Sequence, residues 1–422
     1  MSSKAFKYRI YPTEEQMELF SQFFGCARFM YNQCVGWYYD ASKTYKENKQ
    51  NGIESPFPKL PLVTEYKSEY EFLKDCDNAA LAYARKNFEI ALSAYRKSYK
   101  GKRKGKKVGK PKFKKKGVCK YAYRTCDAHG GIRFNESNQI RLPKVGWVDV
   151  NMHRNYEGNI KAVTIEMTKD GKYYISVMCE VEQKHENNIK NIENINVVGI
   201  DMSFSDFIVD SEGTKAKYTR QYRNNEKRLK RMQKSMSRKE KESKNKEKER
   251  IKIAKLDRHI ANCRMDFCHK LSKYYTTNYD VIVLENINLQ DMAQSGLKGH
   301  GKSVNDLGFG KFKGYLKYKG EKYDCLIYIA DKWFTSSKTC NHCGNVNSGL
   351  TLSDKEWICP CCGEVLDRDY NAACNLRDYF LNQINTVGTT GIQACGDNAT
   401  TLREFLMQVL SMKQEAHSFR EG

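Results

Sequence analysis

The 422-residue sequence has no hydrophobic run long enough to cross a membrane. Its longest apolar runs, such as Val281–Leu284 and Cys325–Ala330, fall far short of the roughly 18–20 residues that a membrane-spanning helix needs. The amino-terminal residues also lack the apolar stretch of a secretory signal peptide. We therefore expect a cytoplasmic protein without a membrane partner. Because disulfides are rare in that compartment, the 16 cysteines are predicted to be thiols or metal ligands.

Acidic residues are too few to balance the basic ones, with 50 Asp and Glu against 73 Lys and Arg, which leaves a net charge of +23. The excess is local. Residues 96–116, the first basic block, contain 13 Lys and Arg and no acid, and residues 220–258, the second basic block, contain 17 against six acids. Charge that served only solubility would be scattered along the chain, so two dense blocks indicate surfaces that bind a polyanion such as nucleic acid.

The first basic block mixes lysine with glycine and an aromatic residue. Lysines can follow a phosphate backbone, and Phe113 can stack on a base. The competing interpretation is a solvated loop in which Phe113 only anchors the chain. In the second basic block the six acids also allow intrahelical ion pairs. The predicted nucleic-acid contacts are Lys102, Arg103, Lys104, Lys106, Lys107, Lys110, Lys112, Phe113, Lys114, Lys115, Lys116 and Arg124.

Hydrophobic periodicity predicts a multidomain α+β protein. Thr13 and Gln16 have the spacing of a capping box, and a helical stripe follows them. Short alternating runs predict an antiparallel β domain. Later in the chain, strands that alternate with helices predict an α/β layer. The predicted divisions are a β domain at 1–12 and 100–190, a helical domain at 13–99, an α/β domain at 191–333 and 367–385, a cysteine-rich insert at 334–366, and a loosely ordered tail at 386–422.

Two Cys-x-x-Cys pairs predict a metal site in the insert. Four thiolates at this spacing suit tetrahedral zinc, and they leave no open position for a water molecule, so the zinc is predicted to be structural. Gly344 and Gly363 allow a tight turn after each pair. The alternative is four unrelated thiols in a cysteine-rich chain. The predicted ligands are Cys340, Cys343, Cys359 and Cys362.

Three carboxylates stand where ligand sites form in α/β sheets. Asp201 and Glu285 each follow a buried apolar strand, and Asp369 lies at a predicted helix start. Together they could hold two Mg²⁺ ions, which stabilise the attacking and leaving oxygens in phosphodiester hydrolysis. Singly, each acid could be solvated or cap a helix. The hypothesis therefore depends on the three converging, and Asp367 is an alternative third acid.

These motifs resemble the TnpB family of transposon-encoded RNA-guided DNA endonucleases, relatives of the compact type V CRISPR effectors. VVGIDMS, VIVLENI and DRDYNAACNL resemble the three pieces of its RuvC nuclease. FTSSKTCNHCG with ICPCCG resembles its zinc ribbon. The opening KYRIYPTEEQ, the middle segment PKFKKKG and the closing GTTGIQACG resemble other parts of the family, so the resemblance runs nearly end to end.

The resemblance implies a helical recognition domain, a wedge-like β domain and an RNase H-like α/β RuvC domain with an inserted zinc ribbon. It implies Mg²⁺ at Asp201, Glu285 and Asp369 as catalytic acids, a guide RNA made near the transposon end, and a double-stranded DNA target beside a short motif. Bound to DNA, the protein would associate with the nucleoid. Two rivals stay open: a guide-directed repressor that does not cut, and a transposase that joins DNA ends without RNA.

Overall fold

The computed structural model describes residues 2–103, 105–126, 131–181, 195–286, 306–351, 354–385 and 406–407. The chain divides into two compact units, Met1–Gln183 and Lys184–Gly422. Lys104 and nearly all of the predicted tail at 386–422 lie outside the described residues. Among the helices of the described part, none is long and apolar enough to span a bilayer.

The first unit combines a six-stranded antiparallel sheet with helices, in the sheet order β2-β5-β6-β1-β4-β3. Its strands are β1 (Ser2–Tyr11), β2 (Tyr121–Cys126), β3 (Gln139–Leu142), β4 (Gly146–Asn151), β5 (Asn159–Met167) and β6 (Tyr173–Val181). Its helices are α1 (Glu14–Gln50), α2 (Val63–Glu69), a short 3₁₀ turn (Glu71–Lys74) and α3 (Asn78–Tyr99). The antiparallel β prediction is confirmed.

Local sequence explains where α1 begins and how it packs. The Gln16 backbone N–H donates to Thr13 Oγ1 at 3.3 Å, and the Thr13 N–H donates to Gln16 Oε1 at 3.1 Å, which confirms the predicted capping box. Phe23 of α1 meets Tyr123 of β2 edge to face, with ring centroids 5.5 Å apart. Helices and sheet thus share one hydrophobic core, so the segments predicted as separate helical and β domains form one unit.

The second unit is built on a five-stranded mixed sheet in the order β11-β10-β7-β8-β9. Strands β7, β10 and β11 run parallel, β8 is antiparallel to β7, and β9 is antiparallel to β8. The strands are β7 (Val197–Asp201), β8 (Ile208–Asp210), β9 (Lys215–Ala216), β10 (Val281–Leu284) and β11 (Leu326–Ile329). Its helices are α4 (Gln221–Ser237), α5 (Lys244–Asn278), α6 (Phe309–Tyr323) and α7 (Arg368–Asn385).

The sheet is covered on both faces. One face carries a core with residues of α5 and α6, such as Tyr275 and Phe312, and the other carries a core with residues of α7, such as Phe380. This burial explains why the central strands are continuous apolar runs. Helices α4 and α5 pair through a separate apolar seam around Leu229 and Leu256. A two-stranded hairpin, β12 (Glu356–Ile358) and β13 (Val365–Asp367), precedes α7.

Helix α7 approaches β7 closely because β7 contains a glycine. A Cβ atom added at Gly199 would lie 2.0 Å from the backbone carbonyl oxygen of Ala373. Real Cβ atoms do not approach backbone that closely, so a glycine is needed here for helix and strand to touch. Gly199 therefore sets the distance between β7, which ends in Asp201, and α7, which carries Asp369.

Candidate active site and metal centre

The three predicted acids come together at one edge of the five-stranded sheet. Asp201 ends β7, and Glu285 directly follows β10. These strands are parallel neighbours, with Ile200 paired to Leu284, so the two acids leave the sheet side by side. Helix α7 supplies Asp369 in its first turn. All three side chains are partly buried rather than sealed in the core. We call Asp201, Glu285 and Asp369 the acid cluster.

Electrostatics show that the acids interact. Burial raises the pKa of Asp201 well above its ordinary value, and the neighbouring charges of Glu285 and Asp369 raise it further, while Arg368 lowers it. Burial also raises the pKa of Glu285, opposed by Lys313 and Arg368. Like charges held together in a low-dielectric site favour a bound cation, which would offset their repulsion.

The geometry favours Asp369 over Asp367 as the third acid. Asp369 Oδ2 accepts a hydrogen bond from Ser203 Oγ at 2.7 Å, which ties it to the segment after β7. Asp367 instead caps α7, because its Oδ1 accepts the backbone N–H groups of Asp369 and Tyr370 at 3.1 and 3.0 Å. Burial alone would raise the pKa of Asp367, but its 2.6 Å pair with Lys215 and these N–H bonds lower it.

Two cations beside the acids were missed from the sequence. Lys313 of α6 donates from Nζ to the backbone carbonyl of Glu285 at 3.2 Å. Burial lowers the pKa of Lys313, and the Glu285 charge partly restores it. Arg368 acts on both Asp201 and Glu285. Arg368 stands inside the DRD motif and could have been weighed there. Nothing in the sequence pattern of α6 singled out Lys313 among its several lysines.

The four predicted cysteine ligands form one cluster. Their Sγ atoms all lie within 4.8 Å of one another. Cys340 and Cys362 are separated by 3.7 Å between sulfurs, and Cys343 and Cys359 by 3.6 Å. Four thiolates around a tetrahedral zinc with Zn–S bonds of about 2.3 Å would have sulfurs about 3.8 Å apart. The donor set and its spacing therefore fit a closed, structural zinc site.

Backbone turns shape both halves of this cysteine cluster. The Gly344 N–H donates to the Cys340 carbonyl at 2.8 Å, and the Gly363 N–H donates to the Cys359 carbonyl at 2.9 Å. Both glycines have a φ of 75°, the left-handed conformation that glycine adopts readily. The prediction that these glycines permit the turns is confirmed. Cys361 is exposed and does not belong to the cluster.

The first basic block presents most of its predicted contacts to solvent. The described lysines and arginines at 102–112, together with Lys115 and Lys116, are exposed. Phe113 is 53% exposed and stacks on Tyr39, with centroids 6.1 Å apart. These residues leave cationic and aromatic surface available to a nucleic acid, whereas Lys104 lies outside the described residues.

Two predicted contacts turn inward instead. Lys114 places Nζ 3.8 Å from the centroid of the Tyr31 ring, and burial lowers its pKa. The backbone of Lys114 is also fixed, because its N–H donates to Asn32 Oδ1 at 2.8 Å. Arg124 lies over the ring of Tyr83 at 4.8 Å. Both side chains hold the loop and β2 against the helices, so they have less freedom to bind phosphate.

Some acids of the second basic block form intrahelical ion pairs, as the alternative interpretation of this block predicted. Lys230 pairs with Glu226 at 3.0 Å, and Arg250 pairs with Glu247 at 2.5 Å. The pairs lie on the exposed sides of α4 and α5, and exposed pairs contribute little stability. The block holds 17 Lys and Arg against six acids, so most of its positive charge is left for a polyanion.

Three sequence families match this chain. Residues 176–296 match a family described as "Probable transposase", and residues 309–376 match "Cas12f1-like, TNB domain". Residues 1–49 match "Helix-turn-helix domain". Over the described part of that last range, the structure has strand β1 followed by a single long helix rather than two helices joined by a turn.

Full-length relatives match along most of the chain. A protein of Streptomyces pristinaespiralis, named as a candidate RNA-guided DNA endonuclease, is 28% identical over 411 residues, which cover 95% of this chain and 93% of the relative. A TnpB-like protein of Acanthamoeba polyphaga mimivirus is 22% identical over 422 aligned positions, with 88% and 72% covered.

A solved structure shares the fold. Cas12f1, determined by cryo-EM in a complex with sgRNA and target DNA, aligns with a TM-score of 0.50 over 89% of this chain and 98% of its own, at 12% identity. This likeness bears on the fold alone. The family matches and the full-length relatives confirm the resemblance to the TnpB family that the sequence motifs indicated.

Proposed function

We propose that this chain is an RNA-guided endonuclease that cuts double-stranded DNA by Mg²⁺-dependent hydrolysis in an RNase H-like RuvC domain. The observation that carries the proposal is the convergence of Asp201, Glu285 and Asp369 at the edge of the mixed sheet. The relative from Streptomyces, named as a candidate RNA-guided DNA endonuclease, supports it along nearly the whole chain.

In this proposal the acid cluster would hold Mg²⁺, which suits oxygen ligands and supplies charge stabilisation at the reacting phosphate. Ser203 orients Asp369 through its 2.7 Å hydrogen bond. Lys313 and Arg368 offset the negative charge of the cluster and offer cationic groups to a phosphodiester. Asp367 starts helix α7 and thereby places Asp369 in the first turn.

The cysteine cluster would hold a structural zinc, because four thiolates leave no open position for chemistry. The exposed lysines of the first basic block would bind the backbone of guide RNA or target DNA largely without sequence preference. Sequence reading would therefore reside in base pairing between a guide RNA and the target strand, as in related effectors. The solved complex of Cas12f1 with sgRNA and target DNA is consistent with these partners.

The proposal is tested with protein purified together with RNA from its native locus. We expect one dominant structured RNA that ends in a variable segment. Duplex DNA that matches this segment, beside a short fixed motif, should be cut in Mg²⁺ and left intact in EDTA. The matched control is the Asp201→Ala protein with the same RNA, which should bind the target and leave it uncut.

Two outcomes would replace the proposal with its rivals. Site-specific cleavage or end joining by rigorously RNA-free protein would favour the DNA-joining transposase. Tight, guide-dependent binding without cleavage by the native sequence, over a range of Mg²⁺ and Mn²⁺ concentrations, would favour the repressor.

A further inference from the structure

Two buried asparagines on α7 face the cysteine cluster. Asn371 is 2% exposed and Asn375 is 6% exposed. They lie four residues apart, so they share one face of the helix. Asp369 stands in the first turn of the same helix. Buried amides need partners, because an unpaired amide in a dry interior is costly.

The partners of both asparagines belong to the backbone just before the first cysteine pair. Asn371 Nδ2 donates to the Thr339 carbonyl at 2.7 Å. Asn375 Nδ2 donates to the Ser336 and Thr339 carbonyls at 2.7 and 2.6 Å. Thr339 immediately precedes Cys340, so these bonds fix the backbone that enters the cluster.

Asn341, the residue after Cys340, also donates hydrogen bonds to side chains of α7. The Asn341 backbone N–H donates to Asn371 Oδ1 at 2.9 Å. Its side-chain amide donates to Asn375 Oδ1 at 3.1 Å and to Asp378 Oδ2 at 2.7 Å. The segment on both sides of Cys340 is therefore bound to one face of α7 by six hydrogen bonds, four through its backbone and two through the Asn341 side chain. We call this network the asparagine clamp.

The asparagine clamp holds α7 from the side opposite to its contact with β7. Gly199 lets α7 lie against β7, and the asparagines hold the helix to the cysteine turn. Asn375 follows Asp369 by six residues, about 9 Å along a helix. A helix transmits a shift at one end to the other, so the clamp can determine where the Asp369 carboxylate lies relative to Asp201.

We propose that Asn371 and Asn375 are positioning residues that set Asp369 against Asp201, with the cysteine turn as their fixed support. The proposal assigns the cysteine cluster a role in metal binding at the acid cluster, through hydrogen bonds and not through contact with nucleic acid. Its effect on cleavage rests on the proposed endonuclease activity, whereas its effect on metal binding requires only that the acid cluster holds a divalent cation.

The test uses Asn375→Leu, which keeps the number and branching of the side-chain heavy atoms and removes both donors and the acceptor. Asn341→Ala breaks the clamp from the other side and leaves all four cysteines in place. The matched control is Asn382→Leu, the same substitution at an exposed position of the same helix. Each full-length protein is measured for zinc content and, without RNA, for Mn²⁺ binding by electron paramagnetic resonance. The Mg²⁺ dependence of target cleavage is measured in the guide complex.

We expect all three variants to retain zinc and target binding. In Asn375→Leu and Asn341→Ala, Mn²⁺ binding should weaken by about 10-fold, as is typical when residues behind metal ligands are changed, and cleavage should recover in part at high Mg²⁺. The double variant should be no worse than the poorer single variant, because both changes break one contact. Asn382→Leu should match wild type.

Wild-type Mn²⁺ binding in both clamp variants would overturn the proposal. Zinc and target binding lost in step with metal binding would also overturn it, since that pattern marks a general folding role. If the wild-type complex does not cut DNA, the proposed function fails, but the zinc and Mn²⁺ measurements still decide whether the clamp positions Asp369.

Discussion

The exposed lysines of the first basic block should supply salt-dependent affinity for nucleic acid. Lys112, Lys115 and Lys116 are exposed, whereas Lys114 lies on the Tyr31 ring. Each phosphate that a cation neutralises on duplex DNA contributes about 0.9 to the slope of log K against log salt. Replacing the three exposed lysines by Ala should therefore flatten the slope by up to about 2.7.

That change in slope is large enough to measure directly. Between about 50 and 200 mM salt, a slope of about 2.7 corresponds to about a 40-fold change in affinity. The assay is fluorescence anisotropy of a short duplex with RNA-free protein, because a bound guide RNA would add its own charge. Lys114→Ala should change the slope much less, and it should lower the melting temperature because the cation–π contact with Tyr31 is lost.

A charge-matched variant separates local contact from total charge. Lys46, Lys59 and Lys86 are exposed lysines of the same unit outside the block. Their triple replacement by Ala removes the same three charges. If the two triple variants flatten the slope equally, the block has no special contact with phosphate. If neither changes the slope, these lysines are solvated and do not bind DNA.

Three further predictions concern the second unit. Alanine at any member of the acid cluster should abolish cleavage and leave target binding largely intact. Asp367→Ala should keep measurable cleavage, and the protein should lose about 1 kcal/mol of stability because α7 loses its helix cap. The reverse result would make Asp367 the third acid. Cys362→Ser should lower zinc content and solubility together, while Cys361→Ser should keep about one zinc per chain, and zinc-free active protein would contradict the site. Gly199→Ala should lower the melting temperature strongly, since its Cβ would lie 2.0 Å from backbone oxygen, and an unchanged melting curve would show that α7 can move away.

Sequence patterns predicted the elements of this fold well where the physical signal is local. The capping box at Thr13 depends on residues three apart, and the cysteine turns depend on a glycine one residue past each pair. The apolar strands before Asp201 and Glu285 were equally clear, because strands buried on both faces have continuous apolar sequence. Each of these signals is complete within a few residues, so no knowledge of the rest of the chain was needed.

Other features depend on contacts between distant segments, which a single sequence does not reveal. The predicted helical and β domains share one core, because the aromatic face of α1 packs on β2, which lies about a hundred residues later in the chain. The sequence does not distinguish Lys114 from the neighbouring lysines, because its cation–π contact with Tyr31 joins two distant segments. Lys313 could not be identified for the same reason, because it lies on α6 and its partner Glu285 follows strand β10, in a separate segment of the chain.

The choice between Asp367 and Asp369 shows where sequence reasoning ends. Both acids stand at the start of one helix, and capping preference alone favours an aspartate at either position. What separates them is the direction each side chain takes: Asp367 turns back to the N–H groups of α7 and to Lys215, while Asp369 meets Ser203 and the field of Asp201. The helix that carries both acids is held in place by the close contact at Gly199 and by the asparagine clamp, which involve residues far apart in the chain. The position of this proposed catalytic acid is a property of the packed helix and not of the motif that contains it.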